Sequence, residues 1–176
     1  GFTIVEILIV IVVIAILAAI TIVAYNGIQQ RANNASIVAA AKNSLSVIDA
    51  YIAANDAYPL TGSACITSTS GCVVNTVAIS ANATFDTRLT TLGTLPRSIP
   101  MTGGNQTGVL YSYNSGRTYN GVAQPVILFY WLYGTSQPCG LSDVVTSWTA
   151  GVPSSTGYTV ANDSSTGKTL CYIHIS

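Results

Sequence analysis

The sequence predicts an α+β chain: one long N-terminal helix whose C-terminal half packs on an antiparallel sheet. Three observations predict it. The first 25 residues, GFTIVEILIVIVVIAILAAITIVAY, are almost entirely apolar. Apolar residues then recur at spacings of 3 or 4 from Ile37 to Ile52, the period of one helix face. Beyond Pro59, alternating or continuous apolar runs are bounded by Gly, Pro, Asn and Ser, the punctuation of strands and turns.

The helix comes first. From Ile7 to Gln30 the phenol of Tyr25 is the only ionisable side chain. A run of this length can cross a bilayer, which takes about 20 apolar residues. Ile and Val dominate positions 7–16, with Ala at 15, 18, 19 and 24. A helix apolar all round is buried in lipid or in a bundle of its own kind, and small Ala faces let neighbours approach closely. Glu6 stands apart. A charge at the centre of a membrane span costs roughly 2.5–3.5 kcal/mol, and less near its end. A carboxylate kept at that cost calls for a task, and the simplest task is to meet a positive charge. A secretory signal peptide is not expected, since no basic residue stands before Arg31 and the run is long. No proline precedes Pro59, so nothing predicts a kink, and Gly27 is the one soft point, costing about 1 kcal/mol against alanine.

The helical pattern continues through Ile37, Ala41, Leu45, Ile48 and Ile52, with Asn34, Lys42, Asn43 and Asp49 largely off that face. One helix is therefore expected from Phe2 to Asn55, about 80 Å long at 1.5 Å per residue. It ends at Asn55–Pro59, because the residue before proline disfavours the α region. Two regions follow: a hydrophobic helix half over residues 1–30 and a globular head over 31–176.

Residues 60–80 are rich in Ser, Thr and Gly and contain Cys65 and Cys72. A short helix is expected over Phe85–Leu92. Val109–Tyr113 alternates as a strand, and Asn114–Ser115–Gly116 is a turn signal. The strongest strand is Gln124–Tyr133, with Pro125 tolerable at its start and a near-continuous apolar run that predicts a central position. The chain closes as a hairpin: Gly157–Ala161, a turn through Asn162–Gly167, then Lys168–Ile175.

Composition narrows the function. Only 7% of residues are charged, against roughly 25% in ordinary soluble domains, and the formal net charge is zero. Such a surface suits a subunit packed into a polymer and does not suit a polyanion binder, which needs a basic face.

Gly1–Phe2–Thr3–Ile4–Val5–Glu6, the apolar run, Ala24–Tyr25 and Arg31–Ala32 together resemble the N-terminus of a type IV pilin, of the type IVa-like kind with an N-terminal methylation motif. The resemblance covers about 32 residues. It implies cleavage by a prepilin peptidase beside Gly1 and Phe2 and N-methylation of the new first residue. It further implies that Glu6 pairs with the N-terminal amine of a neighbouring subunit during assembly. Glu6 is fifth only when counting starts at Phe2, so either cleavage falls one bond earlier or Gly1 is a residue normally removed. The family's helix-breaking proline is here Val23, and its upstream glycine is Ala15. The expected function is that of a structural subunit, a major pilin, of a filament serving adhesion and twitching motility. A minor pilin, or a pseudopilin of DNA uptake or protein export, is the alternative. The implied partners are other copies of the chain, the prepilin peptidase, the assembly machinery, the inner membrane before assembly and a host-cell surface. The implied location is the cell-surface filament.

Four cysteines, all outside the apolar run, fit disulfides in an oxidising compartment and permit three connectivities. The preferred pairing is Cys65–Cys72, closing a short loop, and Cys139–Cys171, tying the loop after the central strand to the last strand. The second is similar to the disulfide-bounded region near the C-terminus of many pilins. Zinc would want Cys-x-x-Cys or Cys/His spacing, which does not occur.

Catalysis has little to work with. His174 is the only histidine, and neither a Gly-x-Ser-x-Gly elbow nor a phosphate-cradling glycine loop is present. No enzyme activity, cofactor or metal is expected; Asp143 and Asp163 are too few for a calcium cage. Tyr111, Tyr113, Arg117 and Tyr119 flank one turn and mix stacking surfaces with a cation, a weak candidate surface-binding or nucleic-acid site. Asn-x-Ser/Thr sequons begin at Asn34, Asn82, Asn105 and Asn162.

Overall fold

The computed structural model describes residue 1 and residues 3–74, 77–97, 106–119, 122–141, 144–145, 148–149, 152–153, 161–163 and 167–175. Helix α1 runs over Ile4–Asn55. Strands β1 (Ser63–Cys65), β2 (Cys72–Val74) and β3 (Val77–Ile79) follow, then helix α2 (Ala83–Thr90). Next come β4 (Gln106–Thr107), β5 (Val109–Tyr113), β6 (Thr118–Tyr119), β7 (Val122–Ala123) and β8 (Val126–Tyr133). The chain closes with β9 (Val144–Val145), β10 (Trp148–Thr149), β11 (Val152–Pro153), β12 (Ala161–Asp163) and β13 (Lys168–Ile175). The chain divides into two compact units, Gly1–Asn33 and Asn34–Ser176.

In the second unit the main sheet has the order β1-β5-β8-β13-β12, antiparallel throughout, with β9 also pairing β13. The α+β expectation therefore holds, with the C-terminal half of α1 packed on this sheet. Val126–Tyr133 is the central strand, as its apolar run implies, and it starts after Pro125 rather than at Gln124. Val126, Leu128, Tyr130 and Leu132 face the helix core with Ile37, Ala40, Ala41, Val47 and Ile48. Phe129 and Trp131 point to the other face, where Trp131 packs with Leu110 and the Cys65 and Cys72 side chains.

Helix α1 ends where the sequence says it must. Asn55 Nδ2 donates to the Tyr51 carbonyl at 2.9 Å, the Asp56 N–H bonds back to Ile52 at 2.8 Å, and Asp56 turns to positive φ (48°). Helix α2 begins two residues before its predicted start because Asn82 caps it, its Oδ1 accepting from the Phe85 N–H at 3.0 Å. Phe85 and Leu89 are its buried face, and Phe85 packs against the Tyr111 ring with centroids 4.9 Å apart.

Residues 60–80, for which the sequence pattern predicts no element, carry β1, β2 and β3, held to the main sheet through β1 and through the Cys65 N–H bond to the Ser80 carbonyl. One sequence expectation fails. Asn162 and Asp163 are strand residues paired to Thr169 and Lys168, not turn residues. The register at Ala161 pairs with Leu170, while the predicted strand residues 157–160 lie outside the described residues.

Both expected disulfides form, Cys65–Cys72 and Cys139–Cys171, with Cα separations of 5.3 and 5.8 Å. In the chain-entropy view the longer loop contributes roughly 3–4 kcal/mol. Gly108 is required beside the shorter one: its φ is +86° and a Cβ there would collide with Cys72 Sγ. Gly140 (φ +74°) does the same for the helix seam, since a Cβ would sit 2.8 Å from Val38 Cγ1.

Candidate assembly site on the N-terminal helix

The first unit is a helix with its side chains in the open. Ile4, Val5, Ile7, Leu8 and the other described apolar side chains through Ile28 are exposed, and no part of the most apolar stretch is buried. The helix is long and apolar enough to cross a membrane and could anchor the chain there. The Thr21 hydroxyl inside the run donates to the Ala18 carbonyl at 3.0 Å, so it asks nothing of a neighbour.

Glu6 is held at the head of this helix. The Thr3 N–H donates to Glu6 Oε2 at 2.7 Å, and Thr3 Oγ1 donates to the same oxygen at 2.8 Å. In return the Glu6 N–H donates to Thr3 Oγ1 at 3.3 Å. This is a capping box, the reciprocal pairing of a Thr N-cap with a Glu three residues on, which satisfies donors that the first helical turn leaves open. Its signature, Thr3-x-x-Glu6, stands in the sequence. It is easily passed over because the apolar run draws attention to the charge rather than to the backbone beside it. Both hydrogen bonds fall on Oε2, so Oε1 stays open among the described residues. Gly1 is exposed, and Phe2 lies outside the described residues.

Among the described side chains, the weak surface-binding group forms no exposed patch. Tyr111 is fully buried, its hydroxyl donating to the Leu60 carbonyl at 2.7 Å, and burial pushes its phenol pKa up. Tyr113 is half-buried against Tyr58, with ring centroids 5.5 Å apart. Arg117 is spent on the fold: Nη1 donates to the carbonyls of Ser112 (3.0 Å) and Pro125 (2.8 Å). Tyr119 is a strand residue whose side chain lies outside the described ones. Alternation placed Tyr111 on the helix side of β5, the opposite side from Ser112, and a turn-flanking position alone cannot reveal that.

Other cations follow Arg117. Arg88 Nη1 donates to the Pro59 carbonyl at 2.8 Å, Arg97 pairs with Asp86, and Lys168 is buried. Arg31, Lys42 and Arg88 are the exposed ones, Arg88 despite its bond to Pro59. The calcium candidates are not informative: Asp143 and the Asp163 side chain lie outside the described residues.

Sequence reasoning also missed Asn34. It is not an off-face residue. Its Nδ2 donates to the Tyr133 carbonyl at 3.0 Å and its Oδ1 accepts from the Tyr133 N–H at 2.8 Å. The side-chain amide thus stands in for a strand neighbour at the end of β8. That occupation leaves the Asn34 sequon without a free amide nitrogen.

The fold and the helix define a class: a chain with an exposed apolar N-terminal helix followed by a disulfide-bearing antiparallel sheet, an architecture compatible with a pilin-like fold. No family model, no curated protein and no solved structure matches the chain.

Proposed function

We propose that this chain is the structural subunit, a major pilin, of a type IV pilus filament. The observation that carries the reading is the pairing of a fully exposed apolar helix with a single carboxylate, Glu6, fixed at its start. In the inner membrane the helix rests in lipid. On extraction, the same surface packs against copies of itself and the head domains form the filament exterior. Glu6 meets the N-terminal amine of a neighbouring subunit. The capping box favours this step, since Oε2 is held by Thr3 while Oε1 remains available to an ammonium group. In a dry core an unpaired charge is expensive and a matched pair is tolerable, so Glu6 sets register as well as adding attraction.

The partners in this reading are further copies of the chain, the prepilin peptidase and assembly machinery, the inner membrane before assembly, and a host-cell surface for adhesion. The subunit hydrolyses nothing and takes no cofactor. Nucleic acid is disfavoured, because Tyr111 is buried and Arg88, Arg97 and Arg117 are each bonded to other groups of the head.

Glu6→Ala tests the mechanism. The variant should remain membrane-inserted while surface filaments, sheared and weighed, fall to a small fraction of wild type. Wild-type piliation in that variant would refute the role of Glu6.

A further inference from the structure

The half of α1 that packs on the sheet has a second face, which the sheet does not cover. Ala35, Ala39, Lys42, Ser46, Asp49 and Ala53 are all exposed, while Ile37, Ala41 and Ile48 lie on the buried side. Their spacings alternate between 4 and 3, so they form one seam along the helix. Its uncharged members are small, which lets another helix come close.

The two charged members are opposite in sign and two turns apart, a rise of about 10.5 Å at 1.5 Å per residue. At that spacing they are not neighbours on the helix surface and do not pair with each other. Other charges of the head are engaged: Arg88 by Pro59, Arg97 by Asp86, and Arg117 by Ser112 and Pro125. Lys168 is buried and has an interaction of its own. Among the described residues Lys42 and Asp49 have no such partner. In a chain with only 7% charged residues, two unpaired opposite charges on one exposed seam call for an occupant.

Charge complementarity decides how a second copy would meet this seam. Two parallel copies in register set Lys42 against Lys42 and Asp49 against Asp49. A shift of seven residues instead brings Asp49 of one copy level with Lys42 of the next. The same shift leaves small residues opposite small ones, Ala39 to Ser46 and Ser46 to Ala53. Asp56 leaves the seam, since the chain turns to positive φ there, past the helix end. An antiparallel pair would also oppose the charges, but copies anchored in one membrane by the same end of the helix run the same way.

We propose that this seam is an interface between parallel copies of the chain, shifted by one heptad, with Lys42 of one copy paired to Asp49 of its neighbour. The proposal rests on the filament reading above and adds to it the face and the register of the contact. The pair acts more through selection than through attraction, because the in-register arrangement opposes like charges.

Cysteine cross-linking in sheared surface filaments of the full-length chain reads the register. The native cysteines are buried in their two disulfides and stay out of the reaction. Under mild oxidant, Ala39→Cys/Ser46→Cys should give a ladder of linked copies on a denaturing gel without reductant. Within one chain the two positions are about 10.5 Å apart along the helix, beyond the roughly 7 Å that a disulfide spans. Either single variant should give no linked copies. Linking by both single variants shows an in-register contact, and linking by Ser46→Cys alone an antiparallel one. Either result, or no ladder from the double variant, overturns the proposal. Charge reversal is the second readout: Lys42→Asp should lower filament yield, and Lys42→Asp/Asp49→Lys should restore it. Failure of the double reversal to restore yield also overturns the pairing. Both residues are exposed, so the head should stay folded, which urea titration checks. Surface filaments that lack this chain would defeat the filament reading and the seam together. A missing ladder in filaments that contain it strikes the seam alone.

Discussion

Helix α1 spends its length in two environments, and the sequence differs accordingly. Over Ile4–Ile28 large aliphatic side chains surround the helix and stay exposed. Over Ile37–Ile48 only one stripe is apolar, and it is buried: Ile37, Ala40, Ala41, Val47 and Ile48 are at most 6% exposed. Helix propensity cannot explain the contrast, since both halves are helical. What separates them is who supplies the covering surface. The second half is covered by its own sheet. The first half needs lipid or another chain, because leaving that much apolar surface in water is opposed by the hydrophobic effect at roughly 25 cal/mol per Å².

The sharpest way to break this comparison is to shorten one isoleucine in each half. Ile48→Ala should cost the head about 4 kcal/mol, since Ile48 is fully buried and the sheet and disulfides limit collapse around the cavity. Ile14→Ala should leave head stability unchanged within about 0.5 kcal/mol, because Ile14 is exposed. Urea titration of the full-length chain in detergent, followed by near-ultraviolet circular dichroism, measures both. A comparable loss from Ile14→Ala would show that the two halves are not energetically separate.

Asn34 is the next lever. It is the first residue of the second unit, and it begins the packed half with a two-bond amide clip rather than an apolar contact. Asn34→Ala should cost about 2 kcal/mol, because it removes two part-buried hydrogen bonds to the Tyr133 backbone at once. Asn43→Ala is the control. Its single 3.3 Å bond to the Thr94 carbonyl is solvent-exposed, so its loss should cost well under about 1 kcal/mol. Parity between the two variants in the same urea titration would dissolve the clip.

The parts of the fold written in periodicity were legible. The Ile37–Ile52 stripe, the Val126–Tyr133 run and the helix stop before Pro59 all stand where their patterns put them. The cysteine pairing followed once the central and last strands were placed. The misses share a cause. The strands in residues 63–79 are three residues each, too short for a period to show, and the Ser- and Thr-rich stretch lies between the first two, at residues 66–71. They form because the Cys65–Cys72 bridge and the Ser80 bond hold them to β1, a tertiary effect that no local propensity carries. Asn34 looked like a solvated helix residue because its partner lies 99 residues away. Arg117 looked like a free cation for the same reason: its acceptors are backbone carbonyls, which leave no mark in a sequence.

The smallest effect belongs to the start of the exposed half, and it refines what holds Glu6. Thr3→Ala removes the hydroxyl that both donates to Glu6 Oε2 and accepts the Glu6 N–H, leaving only the Thr3 N–H bond to the carboxylate. The first turn of α1 should then fray, seen as faster amide exchange at Glu6 and Ile7, whose N–H groups bond Thr3, while exchange in the sheet is unchanged. Thr3→Ser restores the hydroxyl and should restore protection. If Thr3→Ala exchanges like wild type, the capping box is not what orders the first turn, and Glu6 is then held only by its neighbour in the assembled state. If fraying appears and filament growth slows with it, the carboxylate's orientation matters as well as its charge. The exposed half would then carry a built device at its first turn, where the packed half relies on its sheet.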